Sequence, residues 1–162
     1  GVRLQGGGTF YPATAGLDHT FGEVHGDAAV FLTARGTLAL RASGKRLFGT
    51  YPFYEAAFLG GPQNVRGLRL DRYAGDGMLH GSAELFLPFK RIFKFVPGEV
   101  GLVGTADTGR VFVEGEDSSR WHEGYGGGLY FASPLRNNLI GLLFARSEGR
   151  TAFYLRLGLV FQ

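Results

Sequence analysis

Phe153-Tyr154-Leu155-Arg156-Leu157-Gly158-Leu159-Val160-Phe161 carries two different faces on one strand. Phe153, Leu155, Leu157, Leu159 and Phe161 make a bulky apolar face without a break. Tyr154, Arg156, Gly158 and Val160 make a mixed, smaller one. Side chains of a β-strand alternate with period two, so such a stretch must satisfy two environments. The pattern recurs upstream. Ala83, Leu85, Leu87 and Phe89 alternate with Ser82, Glu84, Phe86 and Pro88. Val100, Leu102, Gly104 and Ala106 alternate with Glu99, Gly101, Val103, Thr105 and Asp107. Tyr125, Gly127, Leu129 and Phe131 alternate with Gly124, Gly126, Gly128 and Tyr130, and Leu38, Leu40 and Ala42 with Thr37, Ala39 and Arg41. Less regular strands fit Val2 to Tyr11, Glu23 to Thr33 and Leu139 to Ser147, which makes eight.

The connections also alternate. Ala34 to Gly36, Pro134 to Asn137 and Glu148 to Arg150 read as short turns, and Arg110 to Arg120 is longer. Phe48 to Asp76 is a 29-residue loop. A connection of that length in a compact domain is usually functional or disordered. Phe53, Tyr54, Phe58, Leu59 and Leu68 give it too much apolar surface for a solvated tail.

Composition narrows the class. The 162 residues read as a single domain, residues 1–162. The 28 glycines argue against long helices, because each interior glycine costs roughly 1 kcal/mol relative to alanine. At 44% hydrophobic the chain is too apolar for disorder. The absence of cysteine excludes disulfide frameworks and thiolate metal sites. Fourteen of the 17 basic residues are arginine, the residue suited to forked pairing with carboxylates in confined polar spaces. A net charge of +3 with no basic stripe argues against nucleic acid as a partner. No apolar run approaches the ~18 residues of a spanning helix, and Gly1 to Gly6 carry no secretory signal pattern, so the chain reads as a mature product or an excised piece.

Two architectures remain, a soluble all-β domain and an outer-membrane barrel. Strands of about ten residues match what a tilted strand needs to cross a bilayer. Glycine, tyrosine, serine and single charges on the second face suit a narrow, filled lumen. Aromatics flank the apolar faces (Tyr125 and Phe131, Phe153 and Phe161), as interfacial girdles do. The alternation favours the membrane barrel.

The long loop adds a resemblance. Phe58-Leu59-Gly60-Gly61-Pro62-Gln63-Asn64-Val65-Arg66-Gly67-Leu68-Arg69 resembles the G-G…V-R-G-[FY] loop of the bacterial surface antigen superfamily. This is the outer-membrane insertase and translocase group of BamA, TamA and the two-partner secretion transporters. Ser82 to Pro88 resembles the strand that follows that loop, with its inward glutamate, and Thr105 to Phe112 the next strand, with its D-x-G-x-V ending. Tyr154, Leu157, Leu159 and Phe161 resemble a C-terminal assembly signal. Three departures stand out. Leu68 occupies the aromatic position, Gln162 follows the usual terminal aromatic, and the chain has room for only the C-terminal half of a sixteen-stranded barrel, without POTRA domains.

The resemblance implies an eight-stranded antiparallel transmembrane β-barrel in the bacterial outer membrane. Its partners would be the lipid bilayer, the outer-membrane assembly machinery and a second copy of itself. It implies work in protein insertion or translocation; an inert anchor or dimerisation barrel for a missing domain is the alternative. It further implies that the loop turns into the lumen on Gly60, Gly61 and Gly67, placing Val65 and Arg66 so that Arg66 meets Glu84 and Asp107. Their strand parity permits this, since Glu84 shares a face with Ser82, and Asp107 with Thr105 and Glu99.

Other signals are weaker. His80, Ser82 and Glu84 share one strand face and contain the parts of a lipid hydrolase, but neighbours at i and i+2 stand about 6–7 Å apart, too far for a nucleophile–base bond. They read as polar lining. His19, His25, His80 and His122 lack metal-ligand spacing, and Asp71, Asp76 and Asp117 read as solvated loop acids. Gly124 to Gly128 lacks the lysine and helix of a phosphate loop, and Trp121 reads as an interface anchor. The expectation is a non-enzyme without cofactor or metal.

Overall fold

The computed structural model describes residues 1–13, 19–92, 97–116, 119–133 and 138–159. Its strands are β1 (Val2–Tyr11), β2 (Phe21–Thr33), β3 (Thr37–Gly49), β4 (Ala57–Leu59), β5 (Tyr73–Gly75), β6 (Gly77–Ile92), β7 (Gly98–Phe112), β8 (His122–Ser133), β9 (Asn138–Ser147) and β10 (Arg150–Leu159). Eight form one antiparallel sheet in the order β1-β2-β3-β6-β7-β8-β9-β10, and β4 and β5 pair separately. No helix is long and apolar enough to cross a membrane, a statement that does not bear on strands.

The sheet is strongly curled. Arg156 on β10 donates to Glu84 on β6 at 2.8 Å, although four strand spacings separate the two strands. In a flat sheet those strands would lie about 19 Å apart. The sheet is not closed, however. Every neighbouring pair has a continuous or once-shifted register, but none joins β1 to β10 among the described residues. The eight-stranded closure expected from the sequence is therefore not made, and both terminal strands are edges.

Burial follows the alternation, and large apolar side chains lie on both faces of the sheet. On β9, Leu139, Gly141, Leu143, Ala145 and Ser147 are buried in the concavity, while Ile140, Leu142 and Phe144 point outward and are exposed. On β7, Val103, Thr105 and Asp107 are buried and Leu102 is exposed. Polar groups buried inside include Arg66, His80, Thr105 and Asp107. The convex face presents Leu85, Leu87, Leu129, Phe153, Leu155 and Leu157.

Apolar packing inside the curl is confined to small clusters. Phe86, Val103, Tyr130, Leu139 and Leu143 form one, with the Phe86 and Tyr130 rings edge to face at 5.4 Å. Phe21, Leu47 and Ala57 form another near the long loop. The interior also holds a third apolar cluster, Leu59, Val65 and Leu68, beside buried polar groups such as Arg66 and Asp107.

The long loop is shorter than its reading. β3 runs on to Gly49 and β6 starts at Gly77, so residues 50–76 connect them, with a 3-10 turn at Phe53–Glu55 and the β4–β5 pair inside. The sequence hid this extension because Arg46 interrupts the apolar face of Leu38, Leu40 and Ala42, next to a second charge, Lys45, on the mixed face. The Lys45 ammonium faces inward and pairs with Glu23 at 2.9 Å. The expected turn Pro134 to Asn137 and the residues Val160, Phe161 and Gln162 lie outside the described residues.

Leu143 is 8% exposed and its neighbour Leu142 is 62% exposed. Leu143→Ala is expected to cost about 2–5 kcal/mol of unfolding free energy and Leu142→Ala clearly less, as read by equilibrium denaturation.

Candidate functional site

The β4–β5 pair folds residues 60–72 back into the concavity. Asn64 braces the bend: its Oδ1 accepts from the amides of Gly60 at 2.7 Å and Val65 at 2.9 Å. Gly61 follows Gly60 in that bend and is also buried. Val65 is wholly buried with Leu59 and Leu68, which plugs the loop into the sheet. Leu68 thus fills an apolar site without needing an aromatic ring.

This anchoring delivers Arg66, 5% exposed, to the wall. Its Nε donates to Asp107 Oδ2 at 2.7 Å and its Nη2 to Asp107 Oδ1 at 2.5 Å. Its backbone amide also donates to Asp107 Oδ2 at 3.1 Å. Nη1 donates to Glu84 Oε1, and Glu84 Oε2 in turn accepts from Arg156 Nη1 at 2.8 Å. A forked guanidinium–carboxylate pair of this geometry satisfies charge and direction together. One chain of charge therefore links β7, the loop, β6 and β10.

Two glycines allow the approach. Gly67 has φ +94, and a Cβ there would stand 2.5 Å from the Ser147 amide nitrogen on β9. A Cβ on Gly124 of β8 would stand 2.2 Å from the Arg66 carbonyl oxygen. Neither position has room for a side chain. Gly67 is then held by β10: its amide donates to the Tyr154 hydroxyl at 2.9 Å, and its carbonyl accepts from Arg150 Nη1 at 3.0 Å.

The structure thus brings together Gly60, Gly61, Val65, Arg66, Gly67, Glu84 and Asp107. Among the residues of the expected assembly signal, Tyr154 faces the loop, Leu157 is exposed on the outer face, and Leu159 pairs with Asn138 at the end of β10. Phe161 lies outside the described residues. Sequence reasoning missed Arg156, Arg150 and Asn64. Arg156 had a usable signal, a lone cation on the mixed face of an otherwise apolar strand. Asn64 and Arg150 had none, because their partners are backbone groups.

His80 and Ser82 are not paired. His80 Nδ1 instead meets Ser43 Oγ across the strands at 3.2 Å. Among the described residues no three metal-ligating side chains converge. His25 lies 3.9 Å from Glu23, His19 and Asp71 are exposed, and Trp121 is half exposed just before β8. Asp117 lies outside the described residues.

The loop is tied down at its rim by two more carboxylates. Glu148, in the β9–β10 turn, pairs with His122 Nδ1 at 2.8 Å, with the Tyr73 hydroxyl at 2.9 Å and with Arg120 at 3.2 Å. The His122 hydrogen bond, with smaller help from Tyr73 and Arg120, holds its carboxyl below the ordinary value of 4.5. The Tyr73 and His122 rings stack at 3.9 Å. Asp76 accepts from the Tyr51 hydroxyl and the Glu114 amide, which hold its carboxyl below 3.8. Burial and the Asp76 hydrogen bond push the Tyr51 phenol up to about 12.

The chain matches no protein-family model and no curated protein.

Removing either partner of the Arg66–Asp107 pair strands a buried charge. Arg66→Ala and Asp107→Asn are each expected to cost about 3–5 kcal/mol in equilibrium denaturation, with the double variant losing less than the sum. The rim carboxylates give a pH dependence of defined sign. Their folded-state pKa values are depressed, so their contribution is complete above about pH 5 and is lost as pH falls below the ordinary carboxylate values. Proteolysis within residues 60–72 is expected to accelerate as pH falls from 5 toward 3 with an acid-stable protease, and Glu148→Gln is expected to raise the rate already at pH 7.

Proposed function

We propose that this chain is a bacterial outer-membrane β-barrel of the insertase and translocase kind, assisting insertion of proteins into that membrane or their passage across it. The observation that carries the reading is the Val65-Arg66-Gly67 loop, locked inside the curl by Glu84 and Asp107. The exposed leucines and phenylalanines of the convex face support a bilayer as the surroundings. Leucine and phenylalanine line the outside and charged pairs the inside, which suits lipid around a polar interior and costs free energy in water.

Mechanism follows from the edges. Hydrocarbon offers no partner for an unpaired amide or carbonyl, so β1 and β10 must pair in a membrane. A β1–β10 seam would be the weakest of the sheet. Gly6, Gly7 and Gly8 give β1 no cross-strand side-chain packing over three successive positions. An opening seam offers an edge to which a client strand can add. The loop is bonded to β10 through Tyr154, Arg150 and Arg156, by way of Glu84, and to the wall through Asp107, so it sets how far β10 can move. The unpaired edges also favour a second reading, a dimerisation barrel in which β1 of one copy pairs with β10 of another.

The chain folded into lipid vesicles is expected to accelerate insertion of an unfolded client β-barrel, and a covalent cross-link between β1 and β10 is expected to abolish the acceleration. Insertion at the protein-free rate, or unchanged acceleration after cross-linking, would overturn the assisting role. Leu102→Arg on the outer face is expected to destabilise the vesicle-folded chain by about 2–4 kcal/mol if it lies near the bilayer midplane. A water-soluble monomer indifferent to that change would overturn the membrane placement itself.

A further inference from the structure

A cavity of about 600 Å³ lies beside the Arg66 loop, against β1, β2, β3, β6, β9 and β10. Arg3, Arg41, Arg66 and Arg156 all line it. Their ion partners are Asp27, Glu84 and Asp107. Four guanidiniums share three carboxylates, so one positive charge is left over. The donors are unequally used. Arg66 spends all three of its nitrogens on the two wall acids. Arg3 reaches Asp27 with Nη2 at 3.4 Å, while its Nε is buried without a hydrogen-bond partner. Arg41 engages Asp27 through Nε and Arg156 engages Glu84 through Nη1, and both half-exposed side chains line the cavity.

Part of the same cavity's lining is apolar. Phe153, Leu155 and Leu157 contribute to its lining, yet they belong to the outer face of β10, which is an edge. The cavity therefore runs past that edge, from a cationic interior to the apolar exterior. Guanidinium forks match the oxygens of a phosphate in pairs, and an apolar mouth takes hydrocarbon.

We propose that this cavity binds an anionic lipid, its phosphate headgroup among Arg3, Arg41 and Arg156 and its acyl chains leaving beside β10 over Phe153, Leu155 and Leu157. The headgroup chemistry stands on the cavity alone, whereas the acyl chains rest on the membrane reading above.

The test titrates phosphatidylglycerol, phosphatidylcholine of equal chain length, and inorganic phosphate into the full chain in uncharged detergent micelles, read by calorimetry. Phosphatidylglycerol is expected to bind about tenfold or more tightly than phosphatidylcholine, as one or two charged hydrogen bonds supply. Inorganic phosphate is expected to bind more weakly than either. Arg41→Gln with Arg156→Gln is expected to erase the preference, while Arg91→Gln, on a separate ion pair with Glu99, is expected to keep it. Far-UV circular dichroism establishes that the variants fold. Should the double variant not fold, the unaltered chain still decides, because 1 M salt is expected to remove most of the preference. Equal affinity for the two lipids, a preference that survives the double variant or high salt, or phosphate binding as tight as phosphatidylglycerol would overturn the inference. Micelle titration reads binding whether or not the chain enters vesicles, so failure here with vesicle insertion intact overturns this inference alone.

Discussion

A single guanidinium holds the interior together. Arg66 answers Asp107, which is only 4% exposed and would otherwise sit with unbalanced charge inside a curled sheet, and it shares Glu84 with Arg156. Buried ion pairs add little net stability over apolar packing, because desolvation consumes most of the attraction. Specificity is what such a pair contributes here, as an apolar plug could seat in several registers but this fork fits one arrangement of acids. The loop's place, the partnering of Glu84 with Arg156 and the contact from Gly67 to Tyr154 all follow from it.

That constraint explains the division of labour between the two faces. The interior is given over to pairing: Arg3 and Arg41 on Asp27, Lys45 on Glu23, Arg66 on Asp107 and Glu84. Among the described residues apolar packing inside is divided into three small clusters, one of them made by the loop itself. Most large apolar side chains of the sheet lie outside instead. In water this arrangement would forgo burial worth roughly 25 cal/mol per Å².

Much of this was legible in the sequence wherever period-two alternation was clean. The stretch Val100 to Asp107 gives strand, face and parity at once, because the buried Gly101, Val103, Thr105 and Asp107 alternate with the exposed Leu102, Gly104 and Ala106. Parity also put Glu84 and Asp107 on the inner face. Alternation fails where charge enters a strand, as at Lys45 and Arg46, since a sequence does not say that an inward Lys45 has Glu23 waiting for it. Nor does local pattern report closure. Whether β1 meets β10 depends on curvature summed over eight strands, and no residue in either edge encodes that sum. Contacts to backbone atoms, such as Arg150 on the Gly67 carbonyl, leave no pattern to read.

The distances along the chain spanned by the loop's bonds have a temporal meaning. Arg66 binds Asp107, 41 residues onward, and Gly67 binds Tyr154, 87 residues onward. The loop's bonds to β10 therefore complete only once the last strand has arrived, whereas Arg66 can already meet Glu84 and Asp107 on β6 and β7. Contacts so distant form late, after the entropy of closing long chain segments has been met. A loop bonded to Asp107 but not to Tyr154 would mark a sheet that still lacks its final strand, so the molecule carries its own record of assembly.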